Sequence, residues 1–187
     1  MRKILRPPEL VEDPWRYAGE EAEGPPPGPA GPVQSPGARV PAAASATGAH
    51  ASGVIVPLAA FLADPTAWTG RPVGVRAAPA DKVEDLAPHL PRLGVVAIEF
   101  PGPGEGRGYT FARLLRQRYG YRGEVRAVGP AVKQDLLFLM ARCGCDSFEL
   151  APGQDAAQAL QALSRFTLAY QAGVPYTPVR ETRFSAS

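Results

Sequence analysis

The central part of the chain alternates short apolar runs, rich in β-branched residues, with segments in which apolar residues recur at helical spacing. Such alternation is typical of βα units that build a parallel sheet. Five strands are predicted, at 54–58, 73–78, 95–100, 124–129 and 147–150. The pattern therefore predicts an α/β fold with one parallel sheet of about five strands.

Four helices are predicted between and after these strands. The first begins at Asp81 with a capping-box-like pair of acidic residues, and Pro88 distorts its end. The others are expected at 109–119, at 130–143 and after Asp155, each bounded by a glycine stop or an N-capping residue. Each strand of the sheet is thus expected to be followed or preceded by helical cover.

The two faces of the predicted sheet differ in polarity, because successive side chains of a strand point to opposite sides. Apolar residues occupy one side, which suits a cover of helices. The other side carries four charged side chains on four strands: Arg76, Glu99, Arg126 and Glu149. A doubly wound, flavodoxin-like sheet buries both faces and reads as continuous apolar runs. We therefore expect helices mainly on one face of an open, partial TIM-barrel-like sheet, with the doubly wound fold as the alternative.

The four charged residues of the polar face have two interpretations. They form a cross-strand ladder of ion pairs that only stabilises the sheet, or they line a shallow site for a ligand or a partner. Parallel sheets bind ligands at the carboxyl ends of their strands, which is where Glu99 and Glu149 fall. Both interpretations stay open at this point.

The glycine-rich connection 100–109 joins a predicted strand to a predicted helix. Such a turn offers free backbone N–H groups and the positive end of a helix dipole. Glu105, Gly106, Arg107 and Gly108 therefore form a candidate anion site, with Arg107 as a clamp. The glycine spacing matches neither a dinucleotide-binding fingerprint nor a P-loop. The alternative is that Arg107 only pairs with Glu105 or Glu99.

Arginines crowd the helix and strand that follow this loop. Arg113, Arg116 and Arg122 form a candidate docking surface for an acidic protein. The alternative is a solvated helix face that binds no partner.

The chain divides into four parts by composition. We assign 1–23 to an N-terminal arm, 24–53 to a linker, 54–173 to the α/β core and 174–187 to a C-terminal tail. The linker consists almost entirely of Gly, Pro, Ala and Ser, so it is expected to be disordered, because it buries too little apolar surface to offset the entropy of ordering. Trp15 of the arm either docks onto the core or belongs to an unattached tail.

Composition and motifs exclude several classes of function. Lys plus Arg number 20 and Asp plus Glu 18, a balance that predicts neither a nucleic-acid-binding surface nor a membrane anchor. Cys143 is expected on a buried helix face, and Cys145 in a turn that leaves its thiol open to reaction, although no basic neighbour marks it as a nucleophile. Two cysteines cannot supply an iron–sulfur cluster, and neither histidine has a triad partner. We expect no metal, no cofactor and a cytoplasmic location.

Several short motifs lie at Phe100, 105–109, 112–116, 119–124, 126–129, 142–144 and 148–150. Together they resemble the uncharacterised bacterial family DUF934, over roughly 54–172 and weakly at 11–13 and Trp15. The chain departs from the family at Glu105, where the family usually has Asp, at the exchanged pair Gln134-Asp135, and at Cys145, where an aromatic residue is usual. The family is linked to sulfur assimilation because its genes accompany those of the sulfite reductase pathway, and members are sometimes described as oxidoreductases.

The resemblance implies a pathway and leaves the mechanism open. We expect an accessory protein of assimilatory sulfite reduction that binds an anion or a redox-enzyme partner without carrying a redox cofactor itself. One alternative is an enzyme on a degenerate barrel, with Glu99, Arg126 and Glu149 in its site. The other is a structural partner in a homo-oligomer. The expected partners are enzymes of sulfite reduction or a small anion, and neither nucleic acid nor a membrane.

Overall fold

The computed structural model of the protein describes residues 2–19, 53–165 and 173–174. This part of the chain forms a mixed α/β fold in which an eight-stranded sheet curls into a half-barrel. The strands are β1 (Lys3–Arg6), β2 (Glu9–Glu12), β3 (Trp15–Tyr17), β4 (Gly53–Pro57), β5 (Val73–Ala77), β6 (Leu93–Glu99), β7 (Glu124–Val128) and β8 (Ser147–Phe148). The helices are α1 (Leu58–Ala63), α2 (Val83–Leu86), α3 (Arg107–Gln117), α4 (Leu137–Cys143) and α5 (Ala156–Ser164), with 3-10 helices at Pro65–Trp68 and Ala87–Arg92.

The strand order across the sheet is β2-β1-β8-β7-β6-β5-β4-β3. Neighbours from β3 to β8 pair in parallel, whereas β1 pairs antiparallel with both β2 and β8. The parallel βα arrangement is confirmed. The five predicted strands are found as β4 to β8, and both ends of each strand lie within two residues of the predicted ends. The predicted number of strands is wrong, because the described residues form eight.

The three additional strands come from the N-terminal arm. β1 joins the core sheet beside β8, where Leu5 pairs with Phe148, and β3 joins it at the far edge, where Trp15 pairs with Gly53. Asp13 and Pro14 alone separate β2 from β3 in the chain, although these strands lie at opposite edges. A connection that short spans roughly 10 Å. The sheet must therefore curl until its edges approach each other.

The convex face of the sheet packs against the helices. Apolar side chains that point outward from the strands, such as Val75, Ile98 and Ala127, form one large buried cluster with helical residues that include Leu86 and Leu115. The assignment of faces by alternation is confirmed for this side of the sheet.

The concave face holds a second, smaller core. Ile55, Val95, Ala97 and Val128 pack there against residues of β3, and the ring of Trp15 is one of their contacts. The ring fits because two strand positions beneath it are glycines: a Cβ at Gly53 would lie 2.1 Å, and one at Gly94 2.7 Å, from ring carbons of Trp15. Trp15 thus docks onto the core, and its ring fills part of the inside of the half-barrel.

Two predicted helices differ from the observed ones. The segment after Asp81 forms α2 and continues as a 3-10 helix over Ala87–Arg92, consistent with the expected distortion at Pro88. The predicted helix at 130–143 begins only at Leu137. Its first part does not become helical because its backbone bonds elsewhere: the Ala131 N–H donates to the Phe100 carbonyl, and the Ala151 N–H donates to that of Val132.

The predicted linker lies outside the described residues except for Gly53, which begins β4, and the predicted tail lies outside them except for Val174, which is buried. The N–H of Val174 donates to the Arg142 carbonyl at 3.0 Å. In the part of the chain that the structure describes, no helix combines the length and apolarity that crossing a bilayer requires.

Candidate functional site

A cluster of charged side chains lies buried inside the half-barrel, and we call Asp13, Glu124 and Arg126 the inner ion cluster. Arg126 is fully buried, and its Nη1 and Nη2 donate to Asp13 Oδ2 at 2.8 Å and Oδ1 at 2.9 Å. Its Nε donates to Glu124 Oε1 at 3.0 Å. The bidentate pair bonds the N-terminal arm to the middle of the core sheet.

Electrostatics fix the charge state of Arg126. Burial acts to lower its pKa, but the facing carboxylates of Glu124 and Asp13 outweigh this effect, so the pKa of Arg126 is raised. A permanently charged guanidinium that is fully buried and shared by two carboxylates serves to hold strands together. It is not accessible to a ligand from solvent.

Glu124 ties the inner ion cluster to neighbouring strands. Its Oε1 accepts a hydrogen bond from Ser147 Oγ at 2.5 Å, and its Oε2 pairs with Arg6 of β1. The cluster therefore connects β7, β8 and β1 on the concave face.

A second charged group lies where the parallel strands end, and we call Arg2, Tyr17, Arg76, Glu99 and Glu149 the mouth cluster. Tyr17 is the last residue of β3 and Glu99 the last of β6, while Glu149 directly follows β8. The Tyr17 hydroxyl donates to Glu149 Oε2 at 3.0 Å, and Arg76 Nη2 lies 3.1 Å from Glu99 Oε1. The carboxyl ends of parallel strands are the usual place for a ligand.

Tyr17 lies between two guanidinium groups. The central carbon of Arg2 lies 4.4 Å, and that of Arg76 5.6 Å, from the centroid of its ring. Burial, together with the nearby charge of Glu149, raises the pKa of Tyr17. The phenol therefore stays protonated at neutral pH and acts as a hydrogen-bond donor and an aromatic platform.

Side-chain exposure separates the mouth cluster from the inner ion cluster. In the mouth cluster, 40% of the Arg76 side chain is exposed, against 28% for Glu99 and 29% for Glu149. Of the four charged residues predicted on the polar face, Arg76, Glu99 and Glu149 thus belong to an accessible group and Arg126 does not. Arg76 and Glu99 form the expected cross-strand pair, but the ladder does not continue through Arg126, which bonds to Asp13 and Glu124 instead.

Sequence reasoning missed Arg2, Asp13 and Tyr17. Arg2 bridges the two groups, since its Nε donates to Asp13 Oδ2 at 2.9 Å and its guanidinium faces the ring of Tyr17. One signal was available: an arginine on a strand between apolar neighbours needs a carboxylate partner. The arm that carries Trp15 also carries Asp13.

A carboxylate of the glycine-rich loop before α3 accepts a hydrogen bond from one backbone N–H at the start of the helix. Glu105 Oε1 accepts a hydrogen bond from the Arg107 backbone N–H at 3.1 Å and lies 3.7 Å from the Arg107 guanidinium. Gly108 has a packing role, because a Cβ there would lie 2.6 Å from the ring of Phe100. Arg107 is 71% exposed. The predicted pairing of Arg107 with Glu105 is thus present, and an anion at Gly106 would compete with that carboxylate.

The arginines of the predicted docking surface differ in exposure. Arg113 and Arg122 are exposed. Only 5% of the Arg116 side chain is exposed, so the prediction that Arg116 lies on this surface is wrong. Arg116 pairs with Asp146 and donates to the carbonyls of Gly144, Tyr121 and Gly123. Its role is to hold the loop after α4 against the start of β7.

The turn position of Cys145 does not make its thiol accessible. Cys145 is buried, and burial raises its pKa well above the ordinary value, with Asp146 adding to the rise. Cys143 is half-buried rather than buried. Within the described ranges, no group of three or more His, Cys, Asp or Glu side chains is arranged to hold a metal ion.

The comparison with known families concerns mainly the core of this fold. The sequence profile described as Bacterial protein of unknown function (DUF934) matches residues 74–179, more than half of the chain. The chain belongs to this family. The DUF934 match begins in β5, so it includes Arg76, Glu99, Arg126 and Glu149. The strands that supply Asp13 and Tyr17 precede it. No protein with a curated description matches the chain.

Proposed function

We propose that this DUF934 protein is an accessory of assimilatory sulfite reduction that binds a small oxyanion, or docks a redox-enzyme partner, without a redox cofactor of its own. The pathway part rests on the gene association that the family resemblance implies. The binding part rests on one observation: Arg76 lies at the carboxyl ends of the strands with two-fifths of its side chain exposed.

The surroundings of Arg76 suit the capture of an anion. Among the described residues its contacts are the Glu99 carboxylate and the ring of Tyr17. A partly exposed ion pair contributes only about 0–1 kcal/mol to stability, so an incoming oxyanion can displace Glu99 at little cost. A guanidinium also binds sulfite, sulfate or a carboxylate through two parallel hydrogen bonds.

Titration calorimetry tests this proposal with sulfite, sulfate and adenylyl sulfate as ligands. Arg76→Gln is expected to weaken binding about tenfold or more, because it removes the only guanidinium that faces the ligand from β5. Arg107→Gln is the matched control, since Arg107 is also exposed but lies in the loop before α3. Glu99→Gln is expected to tighten binding, because it removes the carboxylate that competes for Arg76.

Three results would redirect the proposal. Failure of all three anions to bind the wild-type protein removes the anion part of it. Loss of binding in Arg107→Gln, with Arg76→Gln unaffected, moves the site to residues 105–108. Loss of growth on sulfate in Glu99→Gln, with thermal stability retained, would favour the enzyme alternative over binding.

The pathway is tested separately, in cells. A deletion strain is expected to grow poorly on sulfate and to accumulate sulfite, because the protein is proposed to act at sulfite reduction. Normal growth with an unchanged pool of sulfite would contradict the assignment, whatever the purified protein binds. Light scattering that shows a stable oligomer would instead support the structural-partner alternative.

A further inference from the structure

Three exposed arginines lie at the amino ends of three neighbouring strands, and we call Arg71, Arg92 and Arg122 the basic rim. Arg71 lies two residues before β5, Arg92 directly before β6 and Arg122 two residues before β7. These strands are consecutive and parallel in the sheet, where neighbouring strands lie about 4.8 Å apart. The basic rim is therefore at the opposite end of the strands from the mouth cluster, which lies at their carboxyl ends.

The backbone segments that carry the basic rim are connected to one another. Val73 of β5 pairs with Leu93 of β6, so the residues that precede these two strands lie side by side. The Tyr121 hydroxyl donates to the Leu93 carbonyl at 3.0 Å. This bond joins the residue before Arg122 to the residue after Arg92. The sheet and its loops thus fix the positions of the three arginines relative to one another.

Aromatic rings support two members of the basic rim. The central guanidinium carbon of Arg71 lies 4.7 Å from the centroid of the Trp68 ring, and that of Arg92 lies 5.3 Å from the centroid of the Phe61 ring. Arg92 Nη2 also donates to the Pro65 carbonyl at 2.6 Å. A guanidinium over a ring face has in-plane N–H groups left for an acceptor such as a carboxylate. Both side chains are therefore held in place while most of their donors stay available.

The basic rim has no acidic partner within the described part of the chain. No carboxylate there forms an ion pair with any of its three guanidinium groups. Asp64 is exposed, but it accepts hydrogen bonds from two backbone N–H groups of the 3-10 helix at Pro65–Trp68. Asp146, near the amino end of β8, is paired with Arg116. Three unpaired positive charges thus face solvent on one end of the sheet.

From these observations we infer that the basic rim docks an acidic protein whose carboxylates pair with the three guanidinium groups. Arginine and tryptophan are enriched among the residues that contribute most to protein interfaces, and Trp68 lies beneath Arg71 with part of its surface exposed. A guanidinium binds a carboxylate through two parallel hydrogen bonds, and the three charges accelerate the approach of an acidic surface.

A nucleic acid suits the basic rim less well than an acidic protein does. Proteins that bind duplex DNA through its backbone contact roughly 6–10 phosphates, whereas the rim offers three charges. The inference goes beyond the proposed function, because it assigns a surface to a protein partner whatever pathway that partner belongs to. It is also independent of oxyanion binding at the mouth cluster, since the two sites lie at opposite ends of the strands.

Site-specific photocrosslinking from Thr69 identifies the partner. Thr69 is exposed and lies in the chain between Trp68 and Arg71. Benzoylphenylalanine at this position of the full chain is expected to crosslink one discrete acidic protein in the native cells. The crosslink is expected to disappear in Arg122→Glu and to persist in Arg107→Glu.

Titration of the purified partner against the full chain then measures the contribution of the rim. Arg92→Glu and Arg122→Glu are each expected to raise Kd about tenfold or more, because each places a carboxylate opposite those of the partner. Arg122→Glu is the cleaner variant, since the Arg122 side chain has no hydrogen bond, ion pair or ring contact among the described residues. Its melting temperature is expected to match that of the wild type. Added salt is expected to weaken binding, because the attraction is between charges.

Arg107→Glu is the matched control. Arg107 is also an exposed arginine, but it begins α3, beyond the carboxyl end of β6. This variant is expected to change Kd less than twofold. The inference is overturned by the absence of a discrete crosslinked protein, by a second copy of this chain as the partner, by duplex DNA that binds through Arg122 instead, or by a Kd that Arg92→Glu and Arg122→Glu leave unchanged. A partner from outside sulfite reduction would support the basic rim and contradict only the proposed pathway.

Discussion

Asp13 is the residue on which the burial of Arg126 depends. Without Asp13, the fully buried guanidinium of Arg126 keeps one carboxylate partner among the described residues, Glu124. Removing one partner of a buried charge pair costs about 3–5 kcal/mol, because the remaining charge stays desolvated. Asp13→Ala is therefore expected to lower the free energy of unfolding by about that amount, as measured by urea denaturation.

Glu12 supplies the control for this experiment. It is an exposed carboxylate next to Asp13 in the chain, at the end of β2. Glu12→Ala removes the same net charge and is expected to change stability by less than about 0.5 kcal/mol. Equal effects of the two substitutions would show that Asp13 acts through net charge rather than through Arg126.

Asp146 predicts a pH dependence of stability. Burial raises its pKa to about 6, against the lowering by the Arg116 guanidinium. Its Oδ1 is buried and has no hydrogen-bond partner among the described residues, a position that suits a proton. Because its pKa is higher in the folded than in the unfolded state, the folded protein binds more protons between pH 4 and 6.

Stability is therefore expected to fall as pH rises from about 4 to about 6, by on the order of 2 kcal/mol from this residue. Urea unfolding at several pH values in this range measures the slope. Asp146→Asn cannot titrate, so its curve is expected to be flatter, even though loss of the charge facing Arg116 lowers its stability overall. A wild-type slope that survives unchanged in Asp146→Asn would assign the titration to another group.

Residues of the candidate site could be predicted from the sequence where the strand that carries them could be predicted. Arg76, Glu99 and Glu149 follow from period-two alternation alone, because alternation assigns a side chain to a face. Alternation does not say which residues are close across the fold. Arg126 was placed on the correct face, but its burial is caused by Asp13, which lies more than a hundred positions away in the chain.

At the scale of elements, the start of α3 depends on close packing against the strand before it. A Cβ at Gly108 would lie 2.6 Å from the ring of Phe100, whereas a Cβ at Gly106 would meet no atom within 4 Å. Gly108→Ala is therefore expected to destabilise the protein by about 1–3 kcal/mol through overpacking. Thermal unfolding of this variant checks the prediction.

Gly106→Ala is the matched variant, since it adds the same methyl group two residues earlier in open space. Gly106 has an ordinary right-handed backbone conformation, with φ of −81°, so alanine causes no strain there. Its melting temperature is expected to stay close to that of the wild type. If Gly106→Ala lowers stability as much as Gly108→Ala does, contact with Phe100 is not the cause.

The elements predicted well are those whose regularity is local. β4 to β8 are runs of β-branched and apolar residues, and α3 ends near a glycine, so propensity and pattern agree with the fold. β1, β2 and β3 are three or four residues long and contain several charged residues. β1 and β3 become regular by pairing with β8 and β4, which lie far from them in the chain.

At the scale of the whole molecule, the N-terminal strands change an open sheet into a curled half-barrel with a filled interior. Residues 2–19 supply Trp15 to the inner core, Asp13 to Arg126 and Tyr17 to the mouth cluster. Deleting them is expected to expose the concave face and to leave Arg126 without Asp13. The truncated protein is therefore expected to unfold without a cooperative transition.

The length of the connection from this segment to β4 can be changed without altering a described residue. Deleting residues 25–41 shortens it by about half while leaving every described residue in place. By the loop-closure relation, halving the length of a connection changes its closure entropy by only about 0.6 kcal/mol, in the stabilising direction. The shortened protein is therefore expected to unfold cooperatively in urea, within about 1 kcal/mol of the wild type, and to retain the effect of Asp13→Ala. A large loss of stability on shortening would mean that residues 25–41 make contacts of their own with the fold, and that the half-barrel is completed by more than its eight strands.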